Sequence, residues 1–206
     1  MVNYNVGWHL ELTRRCPLAC PACNRTMFKE MVVDPKQDIN FDHLKKFFPV
    51  SVLPQIKYIC LQGNLGDPVY HPQFHDISEH FFAAQDVNVI TNGMQSHQFW
   101  ERVLETWPSK SRITLSIDGL RDTNHLYRRG VIWQRIIDNA QAFINAGGLA
   151  RWRMLVFDHN AHQLKECEQL AFSMGFKKFD INGGHTFSAI NSIISILLIF
   201  YRSIFF

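Results

Sequence analysis

The sequence predicts an α/β fold in which six parallel strands alternate with helices, the arrangement of a partial (β/α)6 barrel. Three observations carry this expectation. Short segments rich in β-branched and aromatic residues recur along the chain, the stretches between them have helical periodicity, and Gly, Asn or Asp bounds the junctions. Alternating strands and helices form βαβ units, and those build parallel sheets. Six units suit an incomplete barrel at 206 residues; an open doubly wound sheet satisfies the same periodicity.

The first strand falls at Trp8 to Thr13, with Trp8, Leu10 and Leu12 on one face and His9, Glu11 and Thr13 on the other. His9 and Glu11 either line a cavity or form a satisfied polar pair. Lys57 to Gln62, Val87 to Thr91, Arg112 to Ile117, Trp152 to Phe157 and Lys177 to Ile181 are the five further strands. Asn40 is placed to cap a helix containing Leu44 and Phe47, and Ser96 one whose buried face holds Phe99, Val103 and Trp107. Trp133, Ile136, Ile137, Ala140, Phe143 and Ile144 repeat at the spacing of one helix face, and Gly147 follows as a stop. Leu164, Cys167, Ala171 and Met174 form another such face, with Asn160 as its N-cap and Gly175 beyond its end.

Composition narrows the class. Apolar residues make up 47% and charged residues 19%, enough to build one globular core. Lys and Arg exceed Asp and Glu by 21 − 18 = 3, with no basic run, which gives nucleic acid no support as a partner. The opening residues lack the basic start and apolar run of a signal peptide, so a reducing cytoplasm is expected. The composition breaks near residue 185. From Phe187 to Phe206 the only charge is Arg202, and no Pro or Gly occurs. A core domain over 1–184 and a hydrophobic tail over 185–206 are therefore expected. The tail suggests burial or membrane contact; its Ser and Asn content and Arg202 count against a full span, which needs about 20 apolar residues. A shortened or altered reading frame and a helix covering the barrel both account for the break.

Three of the five cysteines fall within eight residues, as Cys16-Pro17-Leu18-Ala19-Cys20-Pro21-Ala22-Cys23, directly after the first strand. An odd cysteine count in a CxxxCxxC loop points to a metal or cluster site, not to a disulfide framework. Four thiolates would close a [4Fe–4S] cluster; three leave one iron open to bind and activate a small molecule. A zinc site would need a fourth ligand such as Cys60 or a His. A closed electron-transfer cluster would also need one, and three unrelated buried cysteines are the remaining alternative. Cys60, inside a strand, and Cys167, on a buried helix face, read as core residues.

Further segments follow the strands in order. Gly63-Asn64-Leu65-Gly66-Asp67-Pro68 comes after the second, Thr91-Asn92-Gly93 after the third, Ser116-Ile117-Asp118-Gly119 after the fourth, and Tyr127-Arg128-Arg129-Gly130 before the next helix. Each alone is a turn. Together with the cysteines, over about residues 8 to 182, they resemble the radical S-adenosylmethionine (SAM) superfamily. Two departures stand out. The position before the third cysteine, usually aromatic in that family, is Ala22, and Asp67 replaces the Glu of its GGEP segment.

The resemblance implies a barrel of the radical SAM type. It implies a [4Fe–4S] cluster on Cys16, Cys20 and Cys23. SAM would be contacted by Gly66, Asp67 and Pro68, by Asn92, by Ser116 and Asp118, and by Arg128 or Arg129. The chemistry implied is reductive cleavage of SAM to a 5′-deoxyadenosyl radical, with an electron from a flavodoxin or ferredoxin. That radical would abstract hydrogen from a peptide or small-molecule substrate. A non-catalytic iron–sulfur or zinc-binding module on the same fold is the alternative.

Overall fold

A computed structural model describes residues 7–28, 34–108 and 111–182; the hydrophobic tail lies outside them. The strands are β1 (Gly7–Leu10), β2 (Tyr58–Leu61), β3 (Val87–Thr91), β4 (Arg112–Ser116), β5 (Leu149–Leu155) and β6 (Lys178–Asn182). They form one parallel sheet in the order β1-β2-β3-β4-β5-β6. Every strand lies beside its predecessor, so the order never reverses. A doubly wound sheet must reverse at a switch point, and that alternative is excluded. The architecture is the partial (β/α)6 barrel.

The helices are α1 (Asn24–Met27), α2 (Phe41–Phe47), α3 (Phe74–Phe81), α4 (His97–Thr106), α5 (Asn124–Tyr127), α6 (Trp133–Asn145) and α7 (Leu164–Met174). Asn40 caps α2 by accepting from His43 N at 3.0 Å, and Ser96 caps α4 by accepting from Phe99 N at 3.2 Å. α6 ends as its glycines require: Gly147 sits at φ +91°, its N–H reaching Ile144 O and that of Gly148 reaching Phe143 O. None of the described helices is long and apolar enough to cross a membrane.

Side chains alternate across the sheet. In β5, Ala150, Trp152 and Met154 are fully buried beneath the helices, while Arg151, Arg153 and Leu155 face the barrel interior and stay half-buried. Ile59, Leu61, Val89, Ile113 and Leu115 continue the buried outer layer. Trp100 and Trp152 are its largest members; burying each contributes at most about 4–6 kcal/mol. The inner layer is polar, with Cys60, Asn88 and Thr114 joined by hydrogen bonds from Asn88 Nδ2 to Cys60 Sγ and from Thr114 Oγ1 to Asn88 Oδ1.

Four local expectations need correction. β1 stops at Leu10, because the Leu12 carbonyl turns to accept from Ile39 N at 2.8 Å. β5 starts at Leu149, three residues early, since the Gly147-Gly148 stop leads straight into pairing with β4. On α4, Trp100, not Phe99, joins Val103 in the core, and Trp107 is buried just past the helix end. Asn160 makes no side-chain cap to the turn that leads into α7. Its amide instead accepts from Phe157 N and donates to the carbonyls of Asp118 and Leu155 at 2.7, 2.8 and 2.9 Å. It therefore ties the ends of β4 and β5 together.

Candidate functional site

A cavity of about 380 Å³ opens at the carboxyl ends of the strands, where parallel α/β folds bind ligands. All three motif cysteines line it, together with Gly63, Gly66, Asp67, Asn92, Ser116 and Arg128.

The cysteine loop is held on several sides. Leu12 and Leu18 are buried anchors on either side of its first cysteine. Arg15 reaches across to Asp38 with Nε at 3.0 Å and Nη2 at 2.9 Å, and Thr13 Oγ1 donates to the same carboxylate. Arg25 is only 2% exposed and donates to the Leu18 carbonyl. Ala19 N bonds to Arg129 O and Cys23 N to Cys20 O. Asn92 Nδ2 donates to Cys16 Sγ at 3.4 Å, and Cys23 Sγ to the Asn64 carbonyl at 3.6 Å. Burial, reinforced by the charge of Asp67, pushes the Cys16 thiol up to about 12. Burial also raises Cys20, opposed by the Arg128 cation. A metal centre bound here would have to displace the protons of these thiols.

The Gly63–Pro68 turn packs on this loop. A Cβ at Gly66 would lie 2.0 Å from the Thr13 carbonyl oxygen, so the glycine is demanded by the cysteine loop itself. Asp67 N donates to Arg15 O at 2.9 Å. The Asp67 carboxylate accepts from Val69 N, Thr91 Oγ1 and Asn92 N at 3.3, 3.0 and 2.7 Å. It therefore latches the turn to the end of β3. Burial lifts its pKa to about 6 against the pull of those bonds. Pro68 starts a short 3₁₀ turn, buried behind the wall and not on it. Glu11 also lies off the wall, accepting from the backbone and side-chain nitrogens of Asn64 at 2.8 and 2.7 Å.

Ser116 reaches the cavity as its strand alternation predicts, but Asp118 does not. The strand has ended, and Asp118 is fully buried beneath the wall. Its Oδ2 accepts from Arg128 Nε at 2.6 Å and its Oδ1 from Leu155 N at 2.7 Å. The structure thus separates the two arginines: Arg128 lies on the wall, and Arg129 is exposed outside it. Sequence reasoning missed Gln62, Ile90, Tyr127, Arg153, Leu155 and Asn182, which also line it. For Arg153 a signal existed: an arginine alternating with Ala150, Trp152 and Met154 points away from the core.

The donor set fits an iron–sulfur cluster with SAM. Three thiols share one cavity, a cation stands beside Cys20, and the Gly63–Gly66 backbone lies across the same space.

No family model and no curated protein matches the chain. Solved structures do. SuiB of Streptococcus suis bound to its precursor peptide SuiA superposes with a TM-score of 0.69 at 14% identity, over 87% of this chain and 39% of that one. SuiB bound to S-adenosylmethionine gives 0.66 at 13% identity, over 97% and 46%. anSMEcpe with bound AdoMet gives 0.64 at 16% identity, over 96% and 61%. The chain spans roughly two fifths to three fifths of the length of these proteins. They are radical SAM enzymes. At such identities the likeness is one of fold: this chain carries the partial (β/α)6 barrel of the radical SAM type.

Proposed function

We propose that residues 1–184 form the core domain of a cytoplasmic radical SAM enzyme, with Cys16, Cys20 and Cys23 holding a [4Fe–4S] cluster. The observation that carries this reading is the presence of all three thiols on the wall of one strand-end cavity, facing Ser116 and Arg128. When bound, the cluster and SAM supply reductive cleavage of SAM, with an electron from a flavodoxin or ferredoxin, and a 5′-deoxyadenosyl radical that takes hydrogen from a peptide or small molecule.

The chain's own residues bind and orient. Arg128, fixed by Asp118, presents a cation beside Cys20, which favours the thiolate there and a carboxylate nearby. Asp67 already accepts three hydrogen bonds, so an ammonium group would turn to backbone carbonyls of the Gly63–Gly66 segment. Asn92 orients Cys16 through its amide. Among the described residues, no three His, Cys, Asp or Glu side chains gather as one ion's ligands would. A tetrahedral zinc site needs its sulfurs about 4 Å apart, whereas cluster cysteines each bind a different iron. All five cysteines are free thiols, in keeping with a reducing compartment.

The test is anaerobic reconstitution with iron and sulfide, reduction, addition of SAM and assay for 5′-deoxyadenosine. Cys16→Ala, Cys20→Ala and Cys23→Ala run beside the parent. Product from the parent alone supports the proposal. A cluster that never cleaves SAM identifies a non-catalytic module, and zinc binding without cluster assembly overturns the reading.

A further inference from the structure

Among the described residues, the inner face of the barrel carries more positive charge than is paired. Arg112, Arg151, Arg153 and Lys178 share the inner-face register of β4, β5 and β6. The carboxylates near them are committed: Asp86 pairs with Arg112, and Asp180 with Lys178 at 2.5 Å. Arg153 stands between Ser116 on β4 and Asp180 on β6 and lines the cavity. Its Nε is buried and has no hydrogen-bond partner among the described residues. By strand register, Arg153 and Arg112 share the inner face with Cys60, Asn88 and Thr114. Arg128, the other cation on the wall, differs in being held by Asp118.

A buried guanidinium donor without an acceptor is costly and calls for a ligand, ion or water to complete it. Nε of Arg25 and of Arg112 is likewise unpartnered among the described residues, but of the three only Arg153 lines the cavity. Gln62 and Asn182, both on the wall, offer amide donors to the same space, while Ile90 and Leu155 give it apolar shoulders. A planar fork flanked by neutral donors matches a carboxylate.

We propose that Arg153 is the receptor for a carboxylate of the substrate, bound in the barrel interior below the cofactor positions. The assignment of that carboxylate to substrate rests on the radical SAM reading; the anion site itself does not. A substrate so held would be oriented with its anionic end deep in the barrel and its reacting part toward the cysteine loop.

The experiment follows the arginine Nε resonances of the full chain by NMR during titration with N-acetylglycine or its neutral amide, N-acetylglycinamide. The Arg153 signal, assigned by its loss in Arg153→Gln, should move saturably with the carboxylate and stay still with the amide. Arg153→Lys, which keeps the charge but loses the fork, should bind about tenfold more weakly. No movement with the carboxylate, or equal movement with both probes, overturns the proposal. In the second arm, SAM binding to reconstituted parent and Arg153→Gln is compared by equilibrium dialysis. Equal affinities support a substrate site, and a loss of about tenfold assigns Arg153 to the carboxylate of SAM and overturns it. If no cluster or SAM binds at all while N-acetylglycine still moves Arg153, the anion site stands and the cofactor reading falls.

Discussion

Asp118 and Arg128 form a buried ion pair, with Oδ2 and Nε 2.6 Å apart and the carboxylate fully enclosed. The Asp118 main chain is fixed as well, its N–H donating to Asn124 Oδ1 and its carbonyl accepting from Asn160. Breaking one member of such a pair strands a buried charge. Asp118→Asn should therefore cost about 3–5 kcal/mol in urea unfolding. Asp118→Asn/Arg128→Met should recover part of that loss. A double variant as unstable as the sum of both single variants would show that the pair is not coupled.

Asp67 gives the stability a pH signature. Its folded pKa, about 6, lies above the ordinary aspartate value of 3.8. The folded state therefore holds the proton more tightly than the unfolded chain. The stabilisation is complete below about pH 3.8 and is lost as pH rises through about 6, a total of about 3 kcal/mol. Asp67→Asn is neutral throughout. The stability of the parent relative to this variant should fall by about 2 kcal/mol between about pH 4.5 and 7.5. A constant difference would mean that Asp67 titrates as an exposed carboxylate does.

Gly66→Ala should damage the cysteine loop, since its Cβ would press into the Thr13 backbone at 2.0 Å. Iron incorporation after reconstitution should drop together with stability, by about 2–4 kcal/mol. Gly147→Ala is the comparison: it sits at a positive φ, unlike Gly66, but its Cβ would meet nothing within 4 Å. It should cost only about 1–2 kcal/mol and leave iron content intact. Equal iron loss in both variants would rule out the specific contact.

Asn160→Ala removes three hydrogen bonds that join the ends of β4 and β5. The expected loss is about 2–4 kcal/mol, above the roughly 1 kcal/mol of a helix cap. Amide exchange should accelerate at Phe157 and Leu155 before it does in α7. Early exchange confined to the start of α7 would restore a capping role.

By itself the sequence determined the elements and the grouping of three cysteines in one loop. Strand and helix periodicities are local, set by which faces of each segment are apolar, so all six strands and the capped helices α2, α4 and α6 could be read in order. The CxxxCxxC spacing lies within one loop, and its convergence on a cavity is likewise a short-range property. Tertiary structure decided what depends on residues far apart in sequence. Strand order excluded the doubly wound sheet, because periodicity carries no information on which strand pairs with which. Asp67 and Asp118 are acidic residues in turn motifs, yet each is spent on distant partners: Asn92 for one, Arg128 and Leu155 for the other. Asn160 has the residue type of a cap, but a better-satisfied position for its amide exists only once β4 and β5 lie side by side. Arg153 becomes a candidate receptor for the same reason: that its Nε finds no hydrogen-bond partner among the described residues shows only once the neighbouring strands lie beside it.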